Sequence, residues 1–211
     1  MEGYSKIFIG GLLGPFFIKF TFNKECMVNK IDKAVLLDKK QINKTLIRLA
    51  HEIIEKNTNL DNLAIVGIRT RGDVIATRLC QIIKDITDIK LDLGSIDVTF
   101  YRDDFETNLG SPKIGPSSIL FNINKKDVIL IDDVLYTGRT IRAAMEEVFS
   151  LGRPDRIQLA VLIDRGHREL PIKANYVGKN YPTSFNEHIH VYLDEVDDQE
   201  SVKLMEYNEQ T

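Results

Sequence analysis

Val128 to Thr140 reads VILIDDVLYTGRT, and this stretch decides the fold. Val128 to Ile131 form a continuous apolar run, as expected of a strand covered on both faces. The run leads straight into two carboxylates, Asp132 and Asp133, and then into the turn Thr137-Gly138-Arg139-Thr140, which opens a helix over 139–151. Ligands of open α/β sheets bind outside the carboxyl ends of strands, so this placement marks a site. Free amides at a helix N-terminus, Gly138 for close backbone approach, and the hydroxyls of Thr137 and Thr140 make a cradle for a phosphate monoester. Two acids a few residues earlier cannot bind phosphate. They accept hydrogen bonds from a vicinal diol or stand beside a metal. Phosphate and diol together describe a 5-phosphoribosyl group. The block is neither a nucleotide P-loop, lacking G-x-x-x-x-G-K, nor a dinucleotide fingerprint, lacking G-x-G-x-x-G.

Working outward, the same grammar repeats. Leu63 to Ile68 and Ile157 to Ile163 are further buried-strand runs, and Ile96 to Tyr101 reads as another strand. Asp38 is a helix N-cap candidate; from Gln41 the positions Ile42, Leu46, Leu49 and Ile53 recur at helical spacing. Gly72 opens a helix through Ile75, Leu79, Ile82 and Ile83, and Ile189 to Leu193 is a final short strand. Strands alternating with helices predict an α/β domain with a mostly parallel central sheet flanked by helices. Two irregular stretches interrupt it, 102–124 and 164–187; structureless segments of that length in a compact domain are usually functional or disordered.

The composition suits a globular chain: of 211 residues, 43% are hydrophobic and 28% charged, with a formal net charge of −3. The charge is uneven. Residues 194–211 hold seven acids and one Lys, and residues 1–27 three Lys and two Glu, which leaves 28–193 at +2. A local basic face is compatible with that balance; a strongly basic domain is not. Cys26 and Cys80 are too few for a disulfide framework and lack metal-ligand spacing, as expected in a reducing, cytoplasmic setting. Ile7 to Ile18 is apolar like a secretory signal, yet no Ala occurs before Ala34 to form a cleavage site. No stretch has the roughly 18 apolar residues of a membrane span, so no membrane partner is expected. Residues 1–27 are therefore read as an N-terminal extension outside the fold, and 28–211 as the domain.

The Val128–Thr140 block resembles the phosphoribosyl-diphosphate (PRPP) motif of type I phosphoribosyltransferases. The segments Ile68 to Gly72 (IRTRG), Thr99 to Asp104 (TFYRDD) and Asp164 to Thr183 (DRGHRELPIKANYVGKNYPT) are similar to those of the bifunctional pyrimidine operon regulators that are also uracil phosphoribosyltransferases. The likeness runs from about Lys33 to Tyr207. It implies the type I fold, with a small hood at about 164–187 over the base site and a mobile loop at about 102–124 that closes over PRPP. It implies that Asp132 and Asp133 hold the ribose hydroxyls, and that Thr137, Gly138, Arg139 and Thr140 hold the 5′-phosphate. Arg69, Thr70, Arg71 and Gly72 would form the pyrophosphate loop, which in the family often contains a non-proline cis peptide. Arg102 would reach the pyrophosphate, whereas Asp103 and Asp104 read equally well as a solvated loop end. The implied reaction is uracil + PRPP → UMP + pyrophosphate, with Mg²⁺ carried by the substrate and bordered by Asp132 and Asp133. Purine-using relatives often place an Asp just before the Thr-Gly; here that residue is Tyr136, and no general base is assigned.

The resemblance also implies UMP-dependent binding to the leader of a pyrimidine-operon mRNA, and a homodimer or larger homo-oligomer. The residues carried over for RNA are Arg48, His51 and Lys56 on the first helix, and Arg165, His167, Arg168, Lys173 and Lys179 in and around the hood. Lys and Arg supply phosphate contacts, while unpaired loop bases supply specificity. Glu52, Glu55 and Glu169 dilute this charge, and Ile47 stands where family members often carry a hydroxyl residue. A phosphoribosyltransferase without RNA-binding regulation is the alternative.

Overall fold

The computed structural model describes residues 29–98 and 117–208. A five-stranded, all-parallel sheet in the order β3-β2-β4-β5-β6 forms its centre, from β2 (Leu63–Ile68), β3 (Asp92–Ile96), β4 (Asp127–Leu135), β5 (Arg156–Asp164) and β6 (Tyr176–Asn180). A second sheet of three antiparallel strands, in the order β1-β8-β7, is built from β1 (Asn29–Asp38), β7 (Glu187–Tyr192) and β8 (Ser201–Asn208). The helices are α1 (Lys39–Lys56), α2 (Arg71–Thr87), α3 (Arg139–Leu151) and the short α4 (Asp194–Asp197).

The alternation of side chains along a strand sorts the core into two layers. Ile65, Ile129, Ile131, Ala160 and Leu162 pack with Leu46, Leu49 and Ile53 of α1 and Ile75, Leu79 and Ile83 of α2. Val66, Val128, Leu130 and Val161 face the other way, onto Ile141, Ala144 and Val148 of α3. Both layers exclude water, which is why the central strands read as unbroken apolar runs. The second sheet joins the α1/α2 layer through Ile189, Val191 and Val202. Asp38 closes a full capping box: its Oδ1 accepts from the Gln41 amide at 2.7 Å, and the Gln41 side chain accepts from the Asp38 amide at 2.8 Å.

Three expectations change. The strand expected at 96–101 lies earlier, at Asp92–Ile96, because its backbone pairs in parallel with Ala64–Ile68; residues 99–101 lie outside the described residues. The 164–187 stretch is not irregular throughout, since Tyr176–Asn180 adds an edge strand beside β5. Nor is the strand read at Ile189 to Leu193 the final one, because the acid-rich end forms another. Ser201–Asn208 is the middle strand of the second sheet, with Val202 and Met205 buried.

Candidate phosphoribosyl site

At the carboxyl end of β4, Asp132 and Asp133 are 3% and 7% exposed. Asp132 Oδ1 accepts from the Asp133 amide and Asp133 Oδ1 from the Val134 amide, both at 2.9 Å, so each carboxylate is oriented by the next peptide. Thr137 is buried, and its Oγ1 accepts from the Arg139 amide at 3.3 Å. Gly138, at φ 96°, is the N-cap of α3. Its glycine is required by that left-handed conformation, with the Ile172 side chain 3.3 Å from a built Cβ; close approach to a ligand was the reason expected from sequence. Arg139 gives the turn its amide while its guanidinium pairs with Glu169. Thr140 follows in the first turn of α3.

The Arg69–Thr70 peptide is cis, as the resemblance implied for the 69–72 loop. The Arg69 amide donates to the Ile96 carbonyl at 2.9 Å, and its guanidinium donates to Ser95 Oγ at 3.3 Å and lies 3.8 Å from Asp73. A Cβ on Gly72 would stand 2.4 Å from the Ile131 carbonyl oxygen and 3.2 Å from the Asp132 Cα. Only glycine lets the start of α2 touch β4 at that point, and this contact sets the 69–72 loop beside the two acids. Arg71 forms a two-point pair with Asp197, Nε to Oδ2 at 3.1 Å and Nη2 to Oδ1 at 2.7 Å. Burial pushes the Asp73 carboxyl above its ordinary pKa, and its Oδ1 is buried without a hydrogen-bond partner.

The residues after β5 strap the phosphate turn down. The amides of Glu169 and Leu170 both donate to the Thr137 carbonyl at 3.1 Å, and the Arg165 amide donates to the Leu135 carbonyl at 3.1 Å. Arg168 spans the gap: its Nη1 donates to the carbonyls of Leu135, Tyr136 and Gly166, its Nε to that of Ile172, and its Nη2 pairs with Asp164 at 2.5 Å. Arg165 is 3% exposed; it donates to Thr183 Oγ1 and the Glu187 carbonyl and lies 3.9 Å over the Tyr136 ring. His167 Nε2 sits 2.5 Å from the Thr183 carbonyl, with the Phe185 ring against it.

The resemblance implied RNA contacts for Arg165, His167 and Arg168. In the structure all three contact backbone carbonyls of the protein itself; Arg165 is buried, whereas His167 and Arg168 are partly exposed. Arg48, His51, Lys56, Lys173 and Lys179 are exposed. The structure joins what the sequence kept apart, for Arg48 Nη2 donates to the carbonyls of Val177 and Gly178 on β6 at 2.9 and 2.6 Å. Lys56 donates to the Asn175 carbonyl and lies 5.0 Å over the Tyr176 ring. Glu52 pairs with both Arg48 and Lys56. Arg102 and most of the 102–124 loop lie outside the described residues, as does the 1–27 extension; at Ser118 the chain bridges back to Ser95. Sequence reasoning missed Asp197 and Asp164. Asp164 ends a buried strand as Asp132 does, and that signal was available; Asp197 lay in an acid-rich stretch with nothing to single it out.

Among the described residues no three His, Cys, Asp or Glu groups could hold a metal together, and no helix is long and apolar enough to cross a membrane. The profile of the phosphoribosyl transferase domain matches residues 34–195. The chain is 51% identical over 174 residues to the "bifunctional protein PyrR" of Clostridium novyi, covering 82% of this chain and 98% of the relative. It is 52% identical over 176 residues to the protein of that name from Clostridioides difficile, covering 83% and 99%. Among solved structures, the hypoxanthine phosphoribosyltransferase of Trypanosoma cruzi superposes with a TM-score of 0.63 at 17% identity, over 84% of this chain and 98% of that one, a likeness of fold alone.

Proposed function

The chain belongs to the phosphoribosyl transferase domain family and, within it, to the bifunctional PyrR proteins; on that premise we propose that it converts uracil and PRPP to UMP and pyrophosphate. We further propose that it regulates pyrimidine genes through UMP-dependent binding to an mRNA leader. One observation supports the enzyme: the Gly72 contact with β4 sets the 69–72 loop beside Asp132 and Asp133, a few residues before the N-terminus of α3.

The 5′-phosphate sits against the α3 N-terminal amides and the threonine hydroxyls. The ribose hydroxyls donate to Asp132 and Asp133, which fixes the sugar with C1′ toward the 69–72 loop. Uracil N1 bonds to C1′ as the C1′–pyrophosphate oxygen bond breaks, and the bonding electrons leave on pyrophosphate. Arg69, Arg71 and the loop amides receive that charge, so catalysis is positioning and leaving-group stabilisation. The N1 proton is lost to solvent or beforehand, since Tyr136 offers no carboxylate. The Arg165 guanidinium over Tyr136 puts positive charge beside that position, which favours a uracil anion.

The family generally works with Mg²⁺ and PRPP. The donors present fit a metal brought by substrate: two adjacent buried carboxylates, with no cluster of three metal-ligating groups among the described residues, suit an ion that takes most of its oxygens from phosphates and water. Such an ion neutralises pyrophosphate charge, while Asp132 and Asp133 would border it.

For RNA, the Arg48 link from α1 to β6, together with exposed His51, Lys173 and Lys179, supports the regulatory proposal. Assembly as a homodimer in the cytoplasm belongs to the same proposal. Purified protein with Mg²⁺ and saturating PRPP should form UMP from uracil, and should not use hypoxanthine, guanine or orotate comparably; absence of UMP refutes the enzyme. Filter binding with UMP should favour a leader hairpin over a scrambled one at matched salt. Equal binding refutes the regulator while leaving the enzyme standing.

A further inference from the structure

Arg71 opens α2 and α4 lies far along the chain, yet the two elements are locked together by charge. Arg78, on the next turns of α2, pairs with both Glu195 and Glu200 at 2.6 Å. Lys39 at the start of α1 pairs with Asp194. Within this frame Asp197 is held from its own side as well, its Oδ2 accepting from the Leu193 amide at 3.0 Å. The carboxylate is thus a fixed point, 14% exposed, while its partner Arg71 stands at the first position of α2 with its side chain 27% exposed.

On the premise that Arg71 grips the pyrophosphate, we infer that Asp197 is the positioning residue that holds the Arg71 guanidinium ready for it. The pair uses one edge of the guanidinium, Nε and Nη2. A guanidinium has five N–H donors in a planar fork, so one edge can be anchored by a carboxylate while the other addresses a phosphate oxygen. Arginine has high rotamer entropy; an anchor that removes it before substrate arrives lowers the cost of binding. In this role Asp197 acts only through Arg71. The opposite arrangement, in which Asp197 competes with pyrophosphate for Arg71, predicts the reverse sign for every measurement below.

The test is steady-state kinetics with uracil and PRPP, together with calorimetry of Mg-pyrophosphate binding. Asp197→Asn should raise the KM for PRPP and weaken pyrophosphate binding about tenfold, with kcat and the KM for uracil changed less than about twofold, and Asp197→Glu should recover most of the loss. Arg71→Ala should weaken both further, and adding Asp197→Asn to it should cost nothing more. Glu195→Gln loosens α4 without touching Arg71 and should leave the KM for PRPP unchanged. Unchanged or tighter pyrophosphate binding in Asp197→Asn overturns the inference, as does a Glu195→Gln variant that reproduces its KM shift. Normal pyrophosphate binding in Arg71→Ala would instead remove the role of the 69–72 loop, and the inference with it.

Discussion

Arg168→Ala should cripple folding stability and catalysis together. The side chain donates to four carbonyls, those of Leu135, Tyr136, Gly166 and Ile172, and pairs with Asp164. Two of its partners keep a second donor: the Leu135 carbonyl retains the Arg165 amide, and Asp164 Oδ1 retains the Gly166 amide. The Tyr136, Gly166 and Ile172 carbonyls and one Asp164 oxygen are the groups left short. Hydrogen bonds from a charged donor contribute about 1.5–3 kcal/mol each, and breaking a buried pair costs about 3–5 kcal/mol. The pair here is 22% and 17% exposed, so water recovers part of the loss. A destabilisation of about 3 kcal/mol follows; with an m-value near 2 kcal/mol/M it moves the urea midpoint down by roughly 1.5 M. The freed strap also releases the turn at Thr137, and a misplacement of about 1 Å there should reduce kcat/KM for UMP formation about 100-fold. Urea unfolding followed by far-UV circular dichroism, with steady-state kinetics on the same preparation, measures both effects. An unchanged midpoint with intact turnover, and a defect confined to RNA binding, would refute this account and restore Arg168 to the RNA face.

Gly72→Ala should lower stability by about 3 kcal/mol and abolish UMP formation, because the new Cβ, 2.4 Å from the Ile131 carbonyl oxygen, forces α2 away from β4. A wild-type melting temperature and turnover would contradict it. The hydrogen bond from Arg78 holds the Glu195 carboxyl below its ordinary value of 4.5. A lowered folded-state pKa contributes stability that is fully present above the unfolded value and lost as pH falls through the folded one. The stability gap between wild type and Glu195→Gln should therefore shrink as pH drops below 4.5, and a gap independent of pH in that range would count against the pairing.

Beside β7, legible at Ile189 to Leu193, the strands of the central sheet legible in the sequence, β2, β4 and β5, are those buried on both faces. The ones that were not, β3 and β6, are the two edges of the same sheet. An edge strand is specified by the partner it pairs with more than by its own hydrophobic pattern: Asp92-Leu93-Gly94-Ser95 carries no apolar run. The acid-rich end misled for a related reason. Val202 and Met205 give β8 a buried face, but it is held between β7, just before it in sequence, and β1, more than 160 residues away along the chain. Net charge by segment was likewise a poor guide, since Asp194, Glu195, Asp197 and Glu200 pair with Lys39, Arg71 and Arg78.

What the sequence determined by itself was the local pattern: an apolar run followed by Asp132 and Asp133, a turn carrying Gly138, and the helix that begins at Arg139. Those features follow from a few adjacent residues, so adjacent residues reveal them. Tertiary structure decided which cations face outward. Arg165 and Arg168 look from sequence like members of a basic surface with Lys173 and Lys179, and an arginine's composition says nothing about its direction. The backbone carbonyls of Glu187 and Tyr136, distant in sequence, accept from Arg165 and Arg168, and the fold brings them together. The pairing of Arg71 with Asp197 has the same origin. It exists only because the end of the chain folds back onto the start of α2, a proximity that no local pattern encodes.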